Sequence, residues 1–449
     1  MTPAAGLPAL RTDRPFVVPE VDAFALANGL QVRTVTVPGL PLVTLRLVIR
    51  GGRSDDGPMP GFSELLADAL EEGTTTRNAT QLFDLLQDAG GDLTADAGTD
   101  ATTVSAHGLS SSLPLLAGLV ADVVRNAGFP ADGVRRVKAL ALEDLETDES
   151  EPSFLASRAF ARAVYGRHPY ATVAPTRTTI RSVTRERLDG ELRRRLRPER
   201  ALLVVAGAVG PEAVRRAVEP FATWEGAGDA PELPPEAPGT ERRSVVIVDR
   251  PGSVQATLVV GNVGTRRTDA DAWPLDLAVT VYGGAFSSRL VQNLRVAKGY
   301  TYSPGAASTW LAARGVVRSW ASVRTEVAGP ALAEIFGEME RMGSEEVTAE
   351  ELDRARRRES GLELLSLQTA AGLARELGEL WLSGLGPGRL GEGVTAFGRV
   401  TAPEVLEASR RYLDPSRTVV VAVGDARRLG KALSSLGPAV RRRRVGSTR

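Results

Sequence analysis

Two kinds of hydrophobic spacing alternate along the chain. In residues 42–49 apolar and polar side chains alternate, as in a half-buried β-strand, whereas residues 115–124 carry apolar side chains at helical spacing. Strands and amphipathic helices mixed in this way favour an α+β fold. We expect the helices of such a fold to pack on one face of each sheet.

The second half of the chain repeats the first after about 217 residues. Residues 194–207 match residues 411–424 without a gap. Each copy has the pattern of a helix end, a proline turn, a buried strand and a glycine stop. A repeat of this length indicates two copies of one domain.

The order of the predicted elements agrees with this duplication. In the first half an apolar strand at 42–49 precedes a helix at 62–71, and in the second half a strand at 256–260 precedes a helix at 273–282. The fold predicted is therefore α+β, with two homologous domains that arose by internal duplication.

The boundary between the two domains is marked by composition. Residues 225–240 contain prolines and glycines that can continue neither a helix nor a sheet ladder. This predicts an N-terminal domain at 20–226, a linker at 227–240 and a C-terminal domain at 241–436. Two such domains could close face to face and leave a cavity between them.

Length and charge limit the possible functions. The 449 residues suit two domains of roughly 200 residues each. Fifty-five basic residues balance fifty-five acidic ones, so no overall positive field attracts nucleic acid or anionic lipid. Nucleic acid is not expected as a partner, and the basic run 441–444 is interpreted as a solvated tail.

Several chemical classes are excluded or disfavoured by residue type. The chain has no cysteine, which excludes disulfides, thiolate nucleophiles and cysteine-ligated metals. Its two histidines, His107 and His168, lie in unlike contexts and are interpreted as ordinary hydrogen-bonded side chains. Neither a G-x-S-x-G elbow nor a G-x-x-x-x-G-K-[ST] loop occurs. Trp310 and Trp320 are interpreted as core or cavity-wall aromatics.

The first thirty residues contain no continuous apolar stretch. The sequence therefore predicts neither a signal peptide nor a membrane anchor. A cytoplasmic location follows as the expectation, or a periplasmic one if the start of the chain is misassigned.

Residues 60–74 resemble the active-site helix of the pitrilysin/insulinase family of zinc peptidases. That family has a glycine, then H-x-x-E-H, then an apolar pair and Gly-Thr; its two histidines hold zinc while the glutamate activates water. Here the three positions are Glu64, Ala67 and Asp68. The resemblance therefore implies a degenerate zinc motif, with no catalytic residue and no metal ligand in this chain.

A glutamate about 75 residues further on supplies the third zinc ligand in the family, and Glu143 stands at that distance. Three carboxylates, Glu64, Asp68 and Glu143, could in principle hold Ca²⁺ or Mg²⁺. The alternative is a polar helix face on which Glu64 and Asp68 repel each other slightly at i, i+4 spacing.

The second half carries a further match. The glycine-rich turn and Ser-Arg-Leu of residues 283–290 lead to Arg295 and Tyr302, seven residues apart as in family members. In the family this pair contacts substrate backbone and places a phenol near the carbonyl oxygen. Both groups donate hydrogen bonds without losing a proton, which suits that role.

Structural roles are the alternative for this pair. Arg295 could cap helix carbonyls, and Tyr302 could be a half-buried core residue. Tyr300 would share a face with Tyr302 in a strand. The seven-residue spacing favours Tyr302.

The resemblance implies a non-catalytic, substrate-binding subunit of a heterodimeric zinc metallopeptidase acting on peptides. Zinc is then expected in the partner subunit, a member of the same family with an intact H-x-x-E-H. Two alternatives stay open. One is a structural scaffold derived from a peptidase, and the other is an active peptidase with an atypical metal site, for which Ala67 supplies no general base.

Overall fold

The computed structural model describes residues 17–225 and 234–433, together with the backbone of 440–444. Residues 1–16, 226–233, 434–439 and 445–449 lie outside the described residues, and with them residues 227–233 of the predicted linker. None of the helices in the described ranges combines the length and apolar character needed to cross a bilayer.

The first half forms one six-stranded sheet in the order β1-β2-β6-β3-β5-β4. Strand β6 pairs parallel to β2 and antiparallel to β3. Its strands are β1 Val21–Ala25, β2 Gln31–Thr36, β3 Leu42–Arg50, β4 Asp92–Ala97, β5 Ala101–Leu109 and β6 Ala201–Gly207. Its helices are α1 Phe62–Leu70, α2 Ala79–Asp88, α3 Leu113–Arg125, α4 Ala131–Ser150, α5 Pro152–Tyr165, α6 Arg177–Ser182, α7 Arg185–Arg195 and α8 Pro211–Ala217.

The second half repeats this arrangement in the order β12-β7-β11-β8-β10-β9. Its strands are β7 Ser244–Asp249, β8 Gln255–Val263, β9 Gly305–Ser308, β10 Val316–Arg324, β11 Val419–Gly424 and β12 Val440–Arg444. Its helices are α9 Ala272–Val279, α10 Ala328–Ser344, α11 Ala349–Ser366, α12 Ala370–Leu382, α13 Glu392–Arg399, α14 Ala402–Tyr412 and α15 Ala426–Ala432. Apart from β1 and β12, the five remaining strands of each sheet correspond pairwise, as an internal duplication requires.

The outer strands of the two sheets differ. Strand β1 pairs antiparallel to β2, whereas β12 pairs parallel to β7. The interpretation of the basic run 441–444 as a solvated tail was wrong for its backbone. Those residues form most of an edge strand, because β7 leaves its outer hydrogen-bonding groups open to a partner.

Each sheet is covered on both faces, contrary to the expectation of helices on one face only. One face carries the helices of the same half, including α1 and α3 in the first half. The other face carries a helix from the opposite half: α5 packs on β8 and β11, and α12 packs on β3 and β6. The two halves thus exchange one helix each.

This exchange explains why residues 42–49 are more buried than a half-buried strand. Val48 of β3 packs among Leu373, Leu377 and Leu380 of α12, while its neighbours Leu47 and Ile49 enter the core of the first half. Truncation of a fully buried leucine typically costs about 2–5 kcal/mol. The exchanged helices therefore fix the two domains firmly to each other.

Polar contacts secure α12 on the first domain. Arg33 donates from Nη1 to the carbonyl oxygen of Leu377 at 3.1 Å, and Arg50 donates from Nη2 to that of Trp381 at 2.7 Å. The Arg50 guanidinium also lies 4.4 Å from the centre of the Trp381 ring. Both arginines thereby bind backbone carbonyls in the C-terminal half of the helix.

Candidate functional site

The helix that carries the degenerate zinc motif, α1, is anchored at its N-terminus by a buried carboxylate. Asp56 accepts hydrogen bonds from the backbone N–H of Gly61 at 2.7 Å and of Ser63 at 3.0 Å. It also forms a buried ion pair with Arg195 at 2.9 Å. Burial is the main reason that the pKa of Asp56 is raised, although Ser63 and Arg195 oppose the shift.

Gly61 sets the start of α1. Its φ is +79°, and a Cβ atom added there would lie 2.2 Å from Cα of Pro175. A left-handed backbone and a close approach both require glycine at this position. The family glycine before the motif therefore has a structural reason that is independent of metal binding.

Glu64, at the first motif position, forms an ion pair with Arg53. Oε1 of Glu64 lies 2.8 Å from Nη1 of Arg53, and the same guanidinium donates to the carbonyl oxygen of Ala97 and to Thr99 Oγ1. Burial of Glu64 outweighs the attraction of Arg53 and raises its pKa to about 7. Arg53 was not singled out by sequence reasoning.

The last motif position, Asp68, lies among other acids. Asp68 is exposed at the surface of α1, but partial desolvation, followed by the charges of Glu71, Asp144 and Asp96, raises its pKa to about 6. On α4 it is thus Asp144, not Glu143, whose charge acts on Asp68. Glu143 is exposed.

The central motif position is apolar and buried. Ala67 is 1% exposed and belongs to the core of the first domain. Across the described residues, no group of three or more histidine, cysteine, aspartate or glutamate side chains is arranged to hold a metal ion. The residues at the motif therefore do not fit the catalytic zinc of the family: one acid is paired with arginine and the general base is missing.

A cleft of about 400 Å³ lies between the two halves. Its walls include Arg46, Asp96 and Asp100 from the first domain and Trp310 and Glu379 from the second. Asp96 also contributes to the acidic surroundings of Asp68. The cavity expected between two facing domains is thus present, and Trp310 is a cavity-wall residue.

The pair predicted to bind substrate is brought together. The guanidinium carbon of Arg295 lies 4.2 Å from the centre of the Tyr302 ring. A guanidinium stacked on an aromatic face keeps its N–H groups directed outward in its own plane. Tyr302 is 77% exposed, so its hydroxyl is accessible to a ligand.

The backbone that carries Arg295 is unusual. Two segments are π-helical: Thr280–Gly284, which contains both glycines of the glycine-rich turn, and Val291–Ala297. Such turns are rare and occur frequently at functional sites. Gly283 permits the turn to approach β9, because a Cβ atom there would lie 2.6 Å from Cβ of Ala306.

Tyr300 and Tyr302 do not share a face, contrary to the prediction from strand geometry. Residues 301–304 lie outside any strand, and β9 begins only at Gly305. Tyr300 is half-buried and packs against the core of the second domain, whereas Tyr302 faces solvent. The irregular backbone removes the period-two alternation on which that expectation depended.

The neighbours of Arg295 in the chain hold this segment on α10 and α11. Arg289 forms a two-pronged ion pair with Glu351 at 2.8 and 2.9 Å, and Arg289 is the main reason that the pKa of Glu351 is lowered to about 2. Asn293 donates to Glu334 and Glu338 at 3.0 and 2.8 Å. Lys298 pairs with Glu334 at 2.7 Å.

Arg295 differs from these neighbours because it faces aromatic rings instead of acids. No carboxylate within residues 17–225 or 234–433 forms an ion pair with it. The second ring beside it is that of Phe286, whose centre lies 4.9 Å from the guanidinium carbon. Sequence reasoning missed Phe286, since a nine-residue spacing across an irregular turn gives no periodic signal.

The two candidate regions are separate in this chain. No hydrogen bond or ion pair of the described residues joins Arg295 or Tyr302 to Glu64 or Asp68, and neither member of the pair lines the cleft. The two histidines are likewise apart and hydrogen-bonded. His107 Nδ1 lies 2.9 Å from Thr44 Oγ1, and His168 Nε2 lies 2.7 Å from the carbonyl oxygen of Pro235.

Two family descriptions match consecutive parts of the chain. Residues 32–173 match "Insulinase (Peptidase family M16)", and residues 182–359 match "Peptidase M16 inactive domain". Together these matches span well over half of the sequence. They agree with the duplication and with the two sheets.

Two similar proteins are described as zinc proteases. An uncharacterized zinc protease of Mycobacterium bovis is 28% identical over 424 residues, which cover 92% of each chain. An uncharacterized zinc protease of Streptomyces coelicolor is 26% identical over 361 residues, or 79% of each chain.

Solved structures share the fold. The crystal structure of a peptidase M16 inactive domain from Pseudomonas fluorescens has a TM-score of 0.85 and 25% identity, covering 90% of this chain and 98% of that one. A protease from Helicobacter pylori has a TM-score of 0.84 at 17% identity, covering 90% and 99%, which supports the fold alone. The predicted resemblance and α+β fold are confirmed: this chain belongs to the insulinase-type M16 peptidase family.

Proposed function

We propose that this protein is a non-catalytic, substrate-binding subunit of a heterodimeric zinc metallopeptidase that acts on peptides. The observation that carries the proposal is the exposed stack of Arg295 on Tyr302, in a chain whose motif helix lacks zinc ligands. A similar family subunit with an intact H-x-x-E-H would supply the zinc and the general base.

The chemistry available to the pair is hydrogen-bond donation. The outward N–H groups of Arg295 can bind peptide carbonyl oxygens, and the Tyr302 hydroxyl can donate to an oxygen on which negative charge develops during hydrolysis. Neither group has to release a proton to do this. The pair therefore suits substrate binding and stabilisation, while bond cleavage requires groups that Glu64, Ala67 and Asp68 do not provide.

Fixed geometry supports this role. The ion pair of Arg289 with Glu351 and the bonds of Asn293 to Glu334 and Glu338 hold the segment on two helices. A pre-positioned donor loses little conformational entropy when a peptide binds. A scaffold protein would have no need of an uncompensated arginine on an exposed aromatic face.

The proposal is tested by reconstitution. This chain is mixed with a family member of similar length that has an intact H-x-x-E-H, and hydrolysis of an unstructured fluorogenic peptide is measured for each chain alone and for the mixture. We expect no hydrolysis by this chain alone, and activity in the mixture that rises with the amount of this chain up to one equivalent. Equal activity of the partner with and without this chain, despite co-elution on size exclusion, would favour a scaffold.

The search for the partner can be narrowed at the gene. A reading frame next to this one that encodes a similar-length chain with H-x-x-E-H is the first candidate for the mixture. Chelator treatment of the active complex should abolish hydrolysis, and zinc analysis of the separated chains should assign the metal to the partner. Zinc recovered with this chain would contradict the proposal.

A further inference from the structure

We propose that Phe286 is a specificity-determining residue of the same peptide-binding surface, and that it favours peptides with an aromatic or large aliphatic side chain beside the bound carbonyl. The inference rests on the proposed function and goes beyond it, because it names the substrate class. The observation behind it is the position of the Phe286 ring, 4.9 Å from the guanidinium carbon of Arg295.

Phe286 is exposed in a way that folding does not explain. Its side chain is 71% exposed, although phenylalanine stabilises a fold mainly by burial. Tyr302, the other ring beside Arg295, is 77% exposed. Two exposed rings beside one cation are typical of a binding surface rather than of scattered surface residues.

The backbone around Phe286 is ordered by its own hydrogen bonds. The N–H of Ser288 donates to the carbonyl oxygen of Ala285 at 3.0 Å, and the N–H of Gln292 donates to that of Ser288 at 3.0 Å. Arg289, in the same turn, is fixed on Glu351. Phe286 is therefore displayed on an ordered turn.

The charge pattern selects the occupant. The guanidinium of Arg295 lies against two aromatic rings, and no carboxylate of the described ranges forms an ion pair with it. Its N–H groups are therefore open to carbonyl oxygens. A peptide bound by those N–H groups would place a neighbouring side chain near Phe286. An apolar or aromatic side chain gains contact with the ring there, whereas a small one leaves the ring in water.

The size of the preference follows from measured aromatic contacts. Aromatic pairs contribute roughly 0.5–1.5 kcal/mol beyond burial, which corresponds to about 2- to 13-fold in affinity. We therefore expect a peptide with phenylalanine to bind about 3- to 10-fold more tightly than the same peptide with alanine.

The test uses the full chain and two fluorescein-labelled decapeptides of glycine, serine and lysine, one with a central phenylalanine and one with alanine. Fluorescence anisotropy gives both dissociation constants for the wild type, Phe286→Ala and Phe286→Leu. The matched control is Phe83→Ala, since Phe83 is also an exposed phenylalanine, on α2 of the first domain, at 60% exposure. Circular dichroism confirms that each variant is folded.

The preference is the ratio of the dissociation constants of the alanine and phenylalanine peptides. We expect Phe286→Ala to abolish it, so that the ratio falls to about 1. Phe286→Leu should retain part of the preference, and Phe83→Ala should leave it unchanged. A preference unchanged in Phe286→Ala would overturn this inference, and so would an equal loss of affinity for both peptides. If Arg295→Ala then still weakens the binding of both peptides, the proposed function stands without the inference about Phe286. Failure of the wild type to bind either peptide would overturn both.

Discussion

Asp100 of the first domain accepts a hydrogen bond from the backbone N–H of Ala312 in the second domain, with 2.9 Å between Oδ2 and N. Its Oδ1 accepts a 2.6 Å hydrogen bond from the phenol of Tyr170, which in turn accepts one from the N–H of Ala313 at 3.0 Å. Burial raises the pKa of Asp100 although these donors oppose it. One carboxylate and one phenol thus join the two domains beside the cleft.

Removal of the Tyr170 hydroxyl should weaken this junction. Tyr170→Phe leaves the N–H of Ala313 and one oxygen of Asp100 without partners, so we expect the free energy of unfolding to fall by about 1–3 kcal/mol in urea titrations. The control is Tyr165→Phe, which loses only a 3.2 Å bond to the carbonyl oxygen of Arg314. Equal losses in the two variants would contradict a special role for the Asp100 junction.

The start of the motif helix offers a second stability test. Gly61→Ala forces an L-residue to φ +79° and places its Cβ 2.2 Å from the Pro175 backbone. We expect a loss clearly larger than the roughly 1–2 kcal/mol of a left-handed residue alone. Gly57→Ala is the control, because Gly57 has φ +54° with no heavy atom within 4 Å of the added Cβ. Similar thermal unfolding of the two variants would show that Pro175 moves aside at little cost.

Stability should rise as the pH falls from 8 to 5.5. The folded-state pKa of Glu64, about 7, lies above the ordinary value of 4.5, so the folded state binds this proton more readily in the window. Binding of one such proton changes the free energy of unfolding by up to about 1.4 kcal/mol per pH unit. The half-buried carboxylate of Glu64 therefore destabilises the fold most at pH 8.

Glu64→Gln isolates this contribution. The amide oxygen can still accept from Arg53, but the group no longer titrates, so the variant should gain stability over the wild type at pH 8 and lose that advantage towards pH 5.5. Urea unfolding at both pH values measures the difference. Glu340→Gln, at an exposed position of α10, serves as the control. An advantage of Glu64→Gln that is the same at both pH values would exclude this linkage.

Much of the fold follows from local sequence signals. The observed elements include the predicted strand at 42–49 and the predicted motif helix at 62–71. They also include the strand predicted within each of the repeats 194–207 and 411–424. These segments carry their own periodicity and their own proline and glycine boundaries, which is why reading them in isolation succeeds.

The exchange of helices could not be predicted in the same way. The apolar face of α12, with Leu373, Leu377 and Leu380, indicates that the helix packs on something apolar but not on which sheet. Which of the two sheets α12 packs on depends on the path of the chain between the domains. For the same reason, the sequence predicts a half-buried strand at 42–49, although α12 covers Val48 on its second face.

The candidate site was predicted in part. The seven-residue spacing identified Arg295 and Tyr302, which do lie in contact, because family motifs preserve spacing even where periodicity is absent. The partners that define their surroundings were not identified. Phe286 and Arg53 reach their neighbours across irregular turns, and such contacts have no signature in sequence spacing.

The motif helix can be tested by rebuilding the metal site. We predict that the wild type binds no stoichiometric zinc, and that Glu64→His with Asp68→His creates a zinc site from two imidazoles at i, i+4. Ala67 is left unchanged because it is buried in the core, and glutamate there would place a carboxylate among apolar side chains. Calorimetry with zinc alone measures the affinity.

The third ligand of the rebuilt site distinguishes two acids on α4. Both acids are exposed, but it is the charge of Asp144 that acts on Asp68. Asp144→Asn added to the double variant should therefore weaken zinc binding by about tenfold or more, and Glu143→Gln should change it little. The reverse order would restore Glu143 as the family position, and one zinc per wild-type chain would refute the degenerate motif.

Tyr302→Phe should separate a substrate-binding subunit from a scaffold. In the reconstituted complex with its zinc-bearing partner, loss of one donor to the developing negative charge should lower kcat by about 10²–10³. Tyr300→Phe is the matched control, since Tyr300 is two residues away but packs against the core. Arg295→Ala should act mainly on KM, because it removes contacts made in the ground state and the transition state alike.

Assembly must be unaffected for this comparison to hold, and size-exclusion chromatography of each mixture establishes that. The hydroxyl of Tyr302 is exposed, so its removal leaves no buried partner unsatisfied and should not alter the thermal unfolding of the chain. A change in kcat with unchanged stability and assembly therefore reports on substrate alone. Wild-type kinetics from fully assembled Tyr302→Phe and Arg295→Ala complexes would refute the role proposed for the pair, because a scaffold requires neither side chain.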